Sequence, residues 1–96
     1  METAKELELV RRMKKGERAA FDELYEQYYD RLYRTACMIT GNRADGEDVT
    51  QETFIKAYLN CNRLKQDGQF RYWIYKILNR IFAAETKEIQ HERIQE

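Results

Sequence analysis

The chain contains no proline, and its four glycines leave long stretches unbroken. Proline and glycine are the strongest local breakers of regular structure, and a fold of many short strands needs them at its turns. Here the punctuation falls at Gly16, at Gly41-Asn42 and at Gly68. These cuts leave four segments, each long enough for a helix and joined by short connections. The predicted architecture is all-α, a small bundle of about four helices. The 96 residues allow a single domain, 1–96, with one small core. Hydrophobic residues make up 43% and the 17 basic side chains balance the 17 acidic ones, which excludes a disordered chain. No apolar run approaches the roughly 18 residues of a membrane span, and the opening Met-Glu-Thr-Ala-Lys-Glu has no signal-peptide character. Cys37 and Cys61 stand apart, with no CxxC pair. A reduced, cytoplasmic protein is the expectation.

Hydrophobic spacing supplies the faces. In the first segment, about residues 3–15, Leu7, Val10 and either Met13 or Lys14 share one side, Lys14 and Lys15 complement the negative end of the helix dipole, and Gly16 ends it. The second runs from about Glu17 to Thr40 with Phe21, Leu24, Tyr25, Tyr28, Leu32, Ala36 and Ile39 at helical spacing. The third opens on Ala44-Asp45-Gly46-Glu47-Asp48, where Asp45 is placed to cap the free N–H groups. Its stripe is Val49, Thr53, Phe54, Ala57, Tyr58 and Cys61, ending near residues 60–62, and 63–69 reads as a polar turn. The fourth is the most regular: Phe70, Trp73, Ile74, Ile77, Leu78, Ile81 and Phe82 follow the helical repeat without a miss. Phe21, Leu24, Leu32, Ile74, Ile77 and Ile81 are assigned to the core, and Trp73 with them. Beyond Ala84 the apolar pattern thins, so the last turns are expected to fray.

The chemistry of catalysis is scarce. His91 is the sole histidine and sits in the charged tail, and there is no HExxH and no glycine-rich phosphate loop. Asp45, Glu47, Asp48 and Glu52 cluster, but not at the spacing of a calcium loop, so they read as a helix start or a docking face; neither metal nor cofactor is expected. Charge is unevenly spread. Arg43 to Glu52 holds one base and four acids; residues 62–80 hold five bases (Arg63, Lys65, Arg71, Lys76, Arg80) against Asp67 alone. The basic stretch is interleaved with Phe70, Tyr72, Trp73 and Tyr75. Cations beside exposed rings suit single-stranded nucleic acid, whose phosphates need charge and whose unstacked bases need aromatic faces.

Three runs carry a family resemblance: KKGERAAFDELYEQYYDRLYRTACMITGN (14–42), RADGEDVTQETFIKAYLNCNRL (43–64) and QFRYWIYKI (69–77). Across about residues 8–82 the chain resembles region 2 of bacterial sigma-70-family factors of the extracytoplasmic-function (ECF, group IV) type, with EDVTQETFIKAY the most specific stretch. The resemblance implies a transcription-initiation domain, not an enzyme. It implies docking on the clamp helices, a coiled coil of the RNA polymerase β′ subunit, through Asp48, Gln51, Glu52 and Ile55. Asp48, Gln51 and Glu52 lie three and four residues apart, hence on one helix face. It also implies recognition and melting of the promoter −10 element through its non-template strand, with Arg63, Lys65, Arg71, Tyr72, Tyr75, Lys76, Asn79 and Arg80 on the DNA side. An anti-sigma factor or a separate region 4 protein would be a further partner.

The family pattern departs where sequence is read. Arg80 stands seven residues after Trp73, where the family has an asparagine, with Asn79 one place early; Ala84 replaces an aspartate, and Thr86-Lys87-Glu88 dilutes a basic pair. Residues 81–96 hold two bases and four acids. Weak, barely selective DNA binding is therefore expected, and the runner-up reading is a region 2-like interaction module that has lost promoter recognition. No helix-turn-helix domain for a −35 element lies in these residues, so the expectation is an excised region 2 or one half of a split factor.

Overall fold

The computed structural model describes the backbone of residues 4–95 and the side chains of residues 4–84. Four helices follow one another: α1 (Ala4–Lys14), α2 (Arg18–Thr40), α3 (Arg43–Leu59) and α4 (Phe70–Gln95). Two short 3-10 turns, Cys61–Arg63 and Asp67–Gln69, bridge α3 to α4. Among the described residues there is no strand, and no helix is long and apolar enough to cross a membrane. The chain is an all-α bundle, as the spacing of its apolar residues required.

Helix ends follow from local chemistry. Gly16 takes a left-handed φ of 95°, its N–H bonds to the Met13 carbonyl at 2.9 Å, and the Glu17 N–H reaches back to Arg12 at 3.0 Å. This paired closure satisfies carbonyls that the last turn of α1 leaves free. Gly41 does the same for α2 with a φ of 85° and a bond to Cys37. At the start of α3 the cap is Asn42, not Asp45. The Asn42 side-chain oxygen (Oδ1) accepts from the Asp45 N–H at 2.8 Å, and its side-chain amide donates to the Asp45 carboxylate at 2.7 Å. Asp45 is the far partner in this reciprocal capping arrangement.

The core lies around α2. Leu24, Tyr28, Leu32 and Ala36 are buried at four-residue intervals. They meet Leu9, Val10 and Met13 from α1, Val49, Phe54 and Ala57 from α3, and Phe70, Ile74, Leu78 and Ile81 from α4. Burying each large apolar side chain contributes about 1.5–3 kcal/mol. Phe21 and Tyr58 (4.7 Å) and Tyr25 and Phe54 (4.5 Å) form an aromatic seam between α2 and α3. Tyr28 meets Phe70 edge-on at 5.3 Å, tying α2 to α4. Thr50 and Thr53 are fully buried, and their hydroxyls donate to the Gly46 and Val49 carbonyls at 2.7 Å, so neither hydroxyl is stranded.

Four sequence expectations change. Leu9, not Leu7, is the buried leucine of α1, and Leu7 is half-buried. Ile77 and Trp73 are half-buried rather than core, because they flank the apolar stripe and face an open cleft. The 63–69 connection is not wholly polar: Leu64 is 3% exposed and anchors it to the core. Helix α4 continues to Gln95 instead of fraying after Ala84. His91 and the acidic residues beyond Ala84 lie outside the described side chains.

Candidate functional site

Helix α3 turns Val49, Thr50, Thr53, Phe54 and Ala57 inward, and that fixes what faces out. Asp48, Gln51, Glu52 and Ile55 are all exposed. Leu59, four residues beyond Ile55, continues the row. Ile55 is 58% and Leu59 73% exposed, so apolar side chains open to solvent beside two carboxylates. Gln51 donates to Glu47 at 3.2 Å along the same face. A groove of about 360 Å³ between α2 and α3 adjoins this row and is lined by Arg18, Phe21, Tyr25, Gln51, Phe54, Ile55, Tyr58 and Leu59. The Arg18 guanidinium sits over the Phe21 and Tyr58 rings at 5.9 and 5.6 Å. Nearby on α2, burial, with Tyr25 and then Glu47 adding to it, pushes the Tyr29 phenol up, and a hydrogen bond with Cys37 does the same for Tyr33.

The other side of α3 borders a second cleft, about 260 Å³, against α4. Trp73, Ile77 and Ile81 give it an apolar wall, and Lys56, Asn60, Arg63 and Arg80 a polar, mainly cationic rim, with Glu52 at the edge nearest the exposed α3 row. An apolar wall under guanidinium groups suits a flat, weakly polar group attached to an anion. Tyr72 is 65% exposed on the outer face of α4, with the Lys76 ammonium 5.1 Å from its ring centroid.

The structure thus brings Arg63 and Arg80 together with Trp73, sets Gln51 and Ile55 in the α2–α3 groove, and leaves Asp48 exposed on α3. Lys65, Arg71 and Asn79 are exposed but line neither cleft, and Tyr75 is half-buried rather than free. Sequence reasoning missed Lys56, Asn60, Arg18, Tyr58 and Leu59 as lining residues. Leu59 was the findable one, an apolar residue in register with Ile55 but off the buried stripe. Among the described residues, no three His, Cys, Asp or Glu side chains converge as a metal ion requires.

Comparison with known proteins bears on these faces. Residues 24–84 match the family described as Sigma-70 region 2, well over half of the chain. The chain belongs to the sigma-70 region 2 family. It is 41% identical over 70 residues to the ECF RNA polymerase sigma factor SigE of Mycolicibacterium smegmatis, covering 70% of this chain and 27% of that one. To the ECF RNA polymerase sigma factor SigW of Bacillus subtilis it is 34% identical over 68 residues, 71% of this chain and 36% of the relative. To the ECF RNA polymerase sigma factor BldN of Streptomyces coelicolor it is 36% identical over 87 residues, 90% of this chain and 33% of the relative. The chain spans about a third of the length of these curated relatives. No solved structure matches it. Within this region 2 domain the family match takes in both faces, the whole of α3 and α4 as far as Ala84, whereas α1 lies outside it.

Proposed function

We propose that this region 2 domain joins core RNA polymerase and helps select and melt promoters, without catalysis, in the bacterial cytoplasm. Asp48, Gln51, Glu52 and Ile55 dock on the clamp helices of the β′ subunit. Arg63, Lys65, Arg71, Tyr72, Tyr75, Lys76, Asn79 and Arg80 face the non-template strand of the −10 element, and the α3–α4 cleft takes an unstacked base against Trp73 under Arg63 and Arg80. The observation that carries this reading is that Asp48, Gln51, Glu52 and Ile55 are exposed along α3 while Arg63 and Arg80 meet Trp73 in the cleft between that helix and α4. Carboxylates flanking an exposed isoleucine match a partner helix that offers cations around an apolar ridge.

Asp48→Arg combined with Glu52→Arg tests the docking face. Reversing two charges at a charged interface costs on the order of several kcal/mol through repulsion, while both positions are exposed, so helicity is retained. The double variant is expected to lose competition for core polymerase and to keep its circular dichroism spectrum. Competition at the wild-type concentration refutes the assignment. Fluorescence anisotropy with a −10 non-template oligonucleotide tests the DNA side separately; docking without DNA binding would leave an interaction module.

A further inference from the structure

The connection between α3 and α4 carries two of the DNA-side cations, Arg63 and Lys65, and leads into Arg71 and Tyr72. Its own backbone bonds are few: Arg63 to Asn60 at 2.9 Å, Leu64 to Cys61 at 3.2 Å and Gln69 to Gln66 at 2.9 Å. Beyond the burial of Leu64 and Cys61 in the core, side chains of α1 add polar anchorage. The Lys14 ammonium donates to the Leu64 carbonyl at 2.6 Å and to the Asp67 carboxylate at 2.9 Å, and Arg11 approaches the other Asp67 oxygen at 3.6 Å. The Lys14 and Asp67 side chains are each only 24% exposed, which screens this pair less than a surface ion pair. Leu64 and Cys61 are buried beside it, the Cys61 thiol directed at the Met13 carbonyl at 3.9 Å. Asp67 is also the sole acid between residues 62 and 80.

We propose that Lys14, at the end of α1, is a positioning residue for nucleic-acid binding: it fastens the 61–69 connection in the shape that presents Arg63 and Lys65, and it neutralises the one acid among the five bases there. The proposal rests on the DNA side of the function proposed above.

The test compares the whole chain with Lys14→Met, Lys14→Gln and Lys14→Arg, using amide hydrogen exchange, anisotropy with a single-stranded −10 oligonucleotide across a salt series, and competition for core polymerase. Lys14→Met is expected to speed exchange across residues 64–69 at least tenfold while α2 and α3 stay protected. Oligonucleotide affinity should fall roughly three- to tenfold, with polymerase competition unchanged. Lys14→Gln, which keeps a donor but not the charge, should fall between, and Lys14→Arg, which can reach both acceptors, should recover much of the loss. Unchanged exchange at 64–69 overturns the tether. Faster exchange with unchanged affinity overturns the positioning role. Lower affinity with unchanged exchange and a salt slope shallower by roughly 0.7 marks Lys14 as a direct phosphate contact and also overturns it. A wild-type chain that binds no oligonucleotide overturns the DNA reading itself, and is told apart because exchange still responds to Lys14→Met.

Discussion

At Gly46 the packing of α2 against α3 comes down to one missing carbon. A Cβ there would lie 2.5 Å from the Cys37 sulfur and 3.0 Å from the Cys37 Cα and N. The thiol could move aside; the backbone of α2 could not without opening the bundle. Alanine is the better helix former by roughly 1 kcal/mol, yet forcing an extra carbon into a closed contact costs typically about 1–3 kcal/mol. Gly46→Ala is therefore expected to lower the thermal midpoint, and Cys37→Ala to restore only part of it, since the backbone contacts remain. A midpoint at or above wild type would show that α3 can slide away freely. Nothing in the sequence distinguishes Gly46 from a tolerated glycine in a first helical turn, because its role depends on how near a residue nine positions earlier comes in space.

At the scale of the element, α3 shows how far local rules reach. Its start was legible as a run of carboxylates after Gly41-Asn42, but which residue caps was not. Asn42 and Asp45 are both strong cap formers, and the backbone decides: Asn42 is extended, at φ −154° and ψ 163°, while Asp45 is already inside the helix. Asn42→Ala removes both reciprocal bonds and should destabilise the domain by about 1 kcal/mol, read as a lower urea midpoint at unchanged m-value; Asp45→Ala should cost less. Equal losses for the two would contradict this assignment. Helix α4 teaches the complementary lesson. Its seven-residue apolar stripe predicted the helix correctly, yet Ile77 and Trp73 are only half covered. That flank borders the cleft against α3, where Glu52 and Lys56 rather than apolar side chains share the lining, so it is not closed over.

At the scale of the whole molecule the balance of charge matters more than its total. A neutral chain sets acids on the outer row of α3 and cations along the connection and α4, and the two fields meet at Glu52. With two or three phosphates neutralised by Arg63, Arg80 and their neighbours, log affinity for single-stranded DNA should fall against log salt with a slope near about −2, at roughly 0.7 per contact. Tyr72→Ala should weaken binding by about 1–3 kcal/mol if a base stacks on that ring, and the salt slope should stay the same because no charge is lost. A slope of about −3.5 would mean that all five bases of the segment reach phosphates, and strong rejection of a scrambled oligonucleotide would mean that Arg80 and its surroundings read sequence.

The sequence alone determined that this chain makes four helices, where they break, which stripes turn inward and which family it resembles. Those properties depend on neighbours within a turn or two, and on motif strings that need no coordinates. Tertiary structure decided the rest. It placed Arg63 and Arg80, seventeen residues apart, on one cleft beside Trp73; it bared Leu59 next to Ile55; and it turned Lys14 from a helix-end cation into the fastening of a distant connection. Each of those depends on the angle and distance at which one helix passes another, which the packing of the whole core sets and no local pattern records.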